Sequence, residues 1–162
     1  MTQNTVTADL SDLNEFLDSV GREYAVKVGL VGSKGSEEHE GSDDMDNAAI
    51  GLIQEFGSVT NNIPPRSFLR MPLEEKQADI ISEMQEYIDA EGGAQAVGKG
   101  FYERLGVAAV AAIQDAFSSG GFGQWPPNTD ETAAKKGSSA PLIDTGQLRR
   151  SVDYEVVRNK EV

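Results

Sequence analysis

Two consecutive prolines, Pro64 and Pro65, restrict what this chain of 162 residues can fold into more than any other feature. Each fixes φ and lacks a backbone donor, and the residue before a proline is driven away from the helical region. The surrounding segment is therefore extended, stiff and unable to join the middle of a sheet. It spans residues 55–70 and separates two helical patterns. Gly57 is placed as a helix stop, because glycine enters left-handed backbone without a Cβ penalty. Asn61 and Asn62 suit a turn. Arg66, Phe68, Leu69 and Arg70 follow at once, two cations and two large apolar groups on a rigid support.

Upstream, Leu10, Leu13, Phe16, Leu17 and Val20 recur at helical spacing, which predicts a helix over 9–20 with Asp9 as N-cap and Gly21 as stop. The alternating β-branched run over 24–31 predicts a strand. Residues 33–46 are polar and acidic, and read as a loop that is mobile in the isolated protein. Helical spacing returns over 47–56 through Ala49, Ile50, Ile53 and Phe56.

Downstream, Pro72 suits the first residue of a helix. Leu73, Ile80, Ile81, Met84, Tyr87 and Ile88 form a stripe on a helix over about 72–91. Gly92 and Gly93 break it. A second apolar face, from Phe101 and Leu105 to Ile113 and Phe117, predicts a helix over about 94–117. Two long helices joined by a tight turn pack antiparallel as an αα-hairpin. Residues 119–145 read as an extended arm with a short helix near 130–136; so long an irregular segment is most often functional or ordered by a partner. Asp144 or Thr145 can cap a short helix ending at Ser151, and 151–158 alternates as a last strand. Its natural mate is the first strand. The expectation is one α+β domain over 1–162: a small, mostly antiparallel sheet from strands near 24–31 and 151–158, packed against the αα-hairpin.

Charge narrows the function. The net charge is −13, and residues 1–57 hold twelve acids against three bases. Such a surface repels nucleic acid at range. The absence of cysteine excludes disulfides, thiolate metal sites and cysteine nucleophiles. No run approaches the roughly 18 apolar residues of a membrane span, and Met1-Thr2-Gln3-Asn4 is no signal peptide, so the expected location is the cytosol of the producing cell.

The motifs that hint at chemistry fail on inspection. Residues 93–100 spell most of a phosphate loop, but Gly100 stands where a magnesium-binding Ser or Thr is needed, and no strand precedes it. Residues 29–35 could offer an anion nest after a strand, yet acids follow directly. Glu37, Glu38, His39, Glu40, Asp43, Asp44 and Asp46 could ligate a hard divalent cation, though their spacing matches no calcium loop. His39 is the sole histidine and leaves no oriented Ser-His-Asp set. No carboxylate pair sits in a context that signals burial or a shifted pKa. The chain is expected to be no enzyme, with no cofactor and no metal site.

The order of short segments carries a resemblance. Val28-Gly29-Leu30-Val31-Gly32 precedes Glu55-Phe56-Gly57 and Ile63-Pro64-Pro65-Arg66-Ser67-Phe68-Leu69-Arg70. After two long helices come Trp125-Pro126-Pro127 with Thr132 and Lys135-Lys136, then Leu142-Ile143-Asp144-Thr145-Gly146-Gln147-Leu148-Arg149-Arg150-Ser151. From about residue 24 to 158 this resembles the morphogenesis proteins of tailed bacteriophages, the neck and tail-completion components of the head-to-tail interface. The resemblance implies a non-enzymatic ring subunit of the virion, hexamer or dodecamer, assembled in the host cytoplasm. It would join head-side connector or adaptor proteins to tail-terminator or tail-tube proteins, with DNA passing through the lumen and no specific binding of it. The acidic stretch 33–46 is longer than the family pattern.

On that reading Arg66, Arg70, Arg149 and Arg150 are candidates to pair with carboxylates of a neighbouring subunit, since arginine binds carboxylate bidentately and is enriched in interfaces. Phe68 and Trp125 are candidate apolar anchors. The rigid proline segment offers one assembly face and the 119–145 arm a means of reaching a neighbour. Two rivals stand beside it: a metal-dependent hydrolase using the acids of 36–46, and an acidic interaction protein that mimics nucleic acid.

Overall fold

In the computed structural model, which describes residues 9–20, 23–42 and 44–159, the elements run α1 (Ser11–Val20), β1 (Tyr24–Gly29), α2 (Gly32–Ser36), α3 (Asn47–Phe56), α4 (Arg70–Glu75), α5 (Gln77–Ala90), α6 (Lys99–Ser119), α7 (Asp130–Lys136), α8 (Gln147–Ser151) and β2 (Asp153–Arg158). Gly21, Asp43, the first four residues and the side chains of Leu17 and Val20 lie outside the description. The fold is α+β. Its two strands pair antiparallel, from Tyr24 opposite Arg158 to Gly29 opposite Asp153, so the ends of the chain meet as expected.

Helix α6 is the spine. Its first turns bury Phe101, Tyr102 and Leu105 against Ile80 and Met84 of α5, with Tyr24, Val26 and Val156 of the sheet closing the same cluster. Its last turns bury Ile113, Ala116 and Phe117 with Phe68, Trp125, Leu148 and Val152. One helix thus serves two cores, at opposite ends. The alternation that predicted β1 places Tyr24, Val26 and Val28 on the face toward these clusters, while Lys27 is exposed. A Cβ on Gly106 would lie 2.2 Å from the ring of Tyr154, so the missing side chain is what lets β2 approach the helix.

The αα-hairpin forms, in a shorter version than expected. Arg104 of α6 pairs with Glu83 of α5 at 2.8 Å, and Phe101 packs on Tyr87, which fixes the antiparallel sense. Its first arm is interrupted at Lys76 (φ −98°, ψ 9°), dividing α4 from α5. Pro72 is the third residue of α4 rather than the first; a helix N-terminus leaves that N–H unbonded too, so proline still costs nothing there. The second arm begins at Lys99 rather than near 94. Gly93–Ala96 form a single 3-10 turn, and Gly98 is extended (φ −119°), so the glycines delay the helix. At the first helix, Asp9 lies one residue before the cap position, its carboxylate accepting from Ser11 N at 3.3 Å. Among the described residues no helix is long and apolar enough to cross a membrane.

Candidate functional site

The proline segment takes its direction from one buried carboxylate. Glu55, 3 % exposed, sits near the end of α3 and points at the start of α4. It accepts from Ser67 Oγ at 2.6 Å, Phe68 N at 2.7 Å, Leu69 N at 2.9 Å and Arg70 N at 3.3 Å. Ser67 Oγ in turn accepts from Met71 N at 3.0 Å. Helix N-termini leave donors unsatisfied and carry partial positive charge, so a carboxylate from another element is a favourable cap. It explains why α4 begins at Arg70, two residues before the proline expected to start it.

That cap turns Phe68 inward. Its ring is fully buried, 5.5 Å from that of Phe117. Trp125 packs on the other side of Phe117, edge-on at 5.6 Å, and donates from Nε1 to Ser67 O at 3.0 Å. Arg66 is 7 % exposed; its Nε donates to Pro126 O at 2.8 Å and its Nη2 to Pro127 O at 2.9 Å. Burial holds its pKa below the ordinary arginine value. Arg66, Phe68 and Trp125 are thus brought together, inside the chain rather than on a presented face. The 119–145 arm is correspondingly no free arm at its start: it is stapled to the proline segment through the carbonyls after Trp125.

The other candidates separate. Arg70 is exposed at the start of α4. Arg149 donates to Gln114 Oε1 at 2.6 Å and Ser118 Oγ at 3.0 Å, tying α8 to α6. Arg150 is exposed and donates to Thr145 O at 2.9 Å.

The acidic stretch is folded against the body, which corrects the expectation of a mobile loop. Asn47, fully buried, donates from Nδ2 to Lys34 O at 2.8 Å and Ser151 Oγ at 2.9 Å. Its oxygen is then left to accept from His39 Nδ1 at 2.7 Å, which makes that nitrogen the protonated one. Gln147 donates to Glu38 O and accepts from Glu40 N, closing the loop onto α8. Among the described residues no three His, Asp or Glu side chains gather as a metal site.

Two further surfaces are open among the described residues. Residues 57–63 form a tight hairpin in which Ser58 and Ile63 exchange main-chain hydrogen bonds of 2.8 Å. Gly57 (φ +75°) permits it, for a Cβ there would meet Ile63 O at 2.7 Å. The hairpin holds Val59 fully exposed, beside a more than half-exposed Phe56 that the helical stripe had placed inward. Elsewhere a groove of about 660 Å³ runs along β1, floored by Leu69, Leu73, Ile80 and Leu105 and flanked by Leu13 of α1. Asn159 N donates to Glu23 O, one step beyond the strand pairs. By the alternation of antiparallel ladders, the main-chain groups of Tyr24, Val26 and Val28 then point away from β2, along the groove. The signal for the hairpin was present in the Gly57 and Asn-Asn placement; the groove depends on contacts between distant segments and left none.

The chain matches no protein-family model, no curated protein and no solved structure.

Proposed function

We propose that the chain is a structural virion protein of a tailed phage, a ring-forming neck or tail-completion component that joins the head connector to the tail and continues the DNA channel. The order of segments that resembles this family is one support. The observation that carries the reading is the presence of two unlike surfaces on one chain: exposed apolar residues at Val59 and Phe56, and an apolar groove beside a strand edge that is unpaired among the described residues. A ring repeated around an axis is held by heterologous contacts, so each subunit needs two different complementary faces. Adding a neighbour's extended segment to a free strand edge is a recurring mode of protein association. The assembly faces in this reading are the hairpin and the groove, in place of Arg66, Phe68 and Trp125.

The charge suits the conduit. A net charge of −13 keeps passing DNA from adhering, provided acids line the lumen. The partners proposed are copies of the chain itself, a connector or adaptor ring on the head side, and tail-terminator or tail-tube proteins on the other.

Native mass spectrometry of the purified chain, alone and with its connector or tail partner, tests the reading. The expected species is a hexamer or dodecamer, and Val59→Asp should collapse it to folded monomer. A wild-type chain that stays monomeric in both settings removes the basis for a ring.

A further inference from the structure

A second cleft, of about 610 Å³, lies between the acidic loop, the proline segment and the 119–145 arm. Arg66 lines it, and so does Lys136 of α7. Arg66 is buried as a residue, yet both groups that accept from its guanidinium are neutral carbonyl oxygens. Among the described residues neither Arg66 nor Lys136 makes an ion pair. Burial is the main cause that lowers the pKa of Lys136; Asp144 pulls it upward, and Arg66, the weakest of the three influences, pushes it down again. A largely buried cation whose acceptors are all neutral is favoured by an anion at its remaining donors.

The donors that remain have a shape. Nε and Nη2 point one side of the guanidinium at Pro126 and Pro127. Of the five N–H groups of arginine, both on Nη1 and one on Nη2 are left, and they form the outer edge of the fork. An open fork edge takes a carboxylate through two parallel hydrogen bonds. Glu40 and Asp144 also border the cleft and are exposed. The two cations and two acids sum to no net charge, and the acids at the rim repel a dianion more than a monoanion. A monoanion is favoured over a phosphate dianion on that count.

We propose that this cleft binds a carboxylate, gripped by Arg66 with Lys136 as the second cation. The site does not depend on which assembly the chain joins, so its failure would leave the ring reading untouched.

The test follows the Arg66 Nε–H resonance of the ¹⁵N-labelled full chain, a proton protected by its bond to Pro126. The chain is titrated at constant ionic strength with N-acetylglutamate amide, which carries one side-chain carboxylate, and in parallel with inorganic phosphate. The expected result is a saturable shift at Arg66 with the carboxylate, with Arg149 and Arg150 unmoved. Lys136→Gln should weaken binding by about tenfold, as for loss of one charge-assisted bond, while Asp144→Asn should strengthen it. Both variants alter side chains outside the two cores, so the titration does not hinge on an Arg66 variant that fails to fold. The proposal is overturned if Arg66 shows no saturable shift, if Lys136→Gln binds as wild type, or if phosphate saturates the site at lower concentration than the carboxylate.

Discussion

Glu55 links three parts of the chain at a single point: the end of α3, the proline segment and the start of α4. Four donors converge on its two oxygens, so Glu55→Gln, which turns an NH₂ toward some of them, should cost about 1–3 kcal/mol in a urea unfolding experiment. Equal stability of the variant would show that water serves those donors as well as the carboxylate does. A second residue-scale outcome concerns acid. Lys34 donates to Asp153 at 2.6 Å and, with the Tyr154 N–H, holds that carboxyl below its ordinary value of 3.8. A depressed carboxyl stabilises the fold above its unfolded pKa, and the contribution is lost as pH falls through the folded one. Between about pH 4 and pH 2, Lys34→Met should therefore lose stability less steeply than wild type. The difference should stay under about 1 kcal/mol, because the pair is largely exposed. Parallel pH profiles for the two proteins would contradict it. The sequence marked Arg66, Phe68 and Trp125 as notable but not which way they face. An arginine after two prolines is as compatible with presentation as with stapling, and the choice is made by carbonyls some 60 positions along the chain.

Among elements, what was legible is what local periodicity controls. The strand pair, α3, α7 and the antiparallel hairpin follow from alternation, helical spacing and glycine breaks close at hand. The break at Lys76 left one local sign, Lys76 and Gln77 standing between Leu73 and Ile80 in the apolar stripe, but two polar residues alone do not end a helix, and the earlier start of α4 comes from Glu55, on another helix. The folding of residues 33–46 was hidden for a similar reason: Asn47, Gln147 and Ser151 hold it from outside. Gly106 offers the sharpest test at this scale. Alanine normally improves a helix interior by up to about 1 kcal/mol over glycine. Here its Cβ would overlap the Tyr154 ring, and Gly106→Ala should instead destabilise by about 1–3 kcal/mol in thermal or denaturant unfolding. In a Tyr154→Ala background the same change should become neutral or stabilising, a reversal that only direct contact produces. No coupling between the two positions would mean that β2 does not rest on this turn of α6.

For the whole molecule, the account is a braced body with two unlike open surfaces and a strong negative charge. The body was foreseen in outline; the surfaces were not, because an exposed hairpin tip and a strand edge left unpaired among the described residues are properties of the assembled fold. Removing the tip should separate stability from assembly. Val59 is fully exposed, so Val59→Asp should leave the monomer's unfolding free energy within about 0.5 kcal/mol of wild type while abolishing self-association. The most direct measurement is electron microscopy of the purified chain, alone and mixed with candidate connector and tail-tube proteins. The account predicts closed rings with a central channel that stack on a partner ring, and their absence in the Val59→Asp preparation. Monodisperse monomers in every mixture, with wild type and variant indistinguishable, would contradict it.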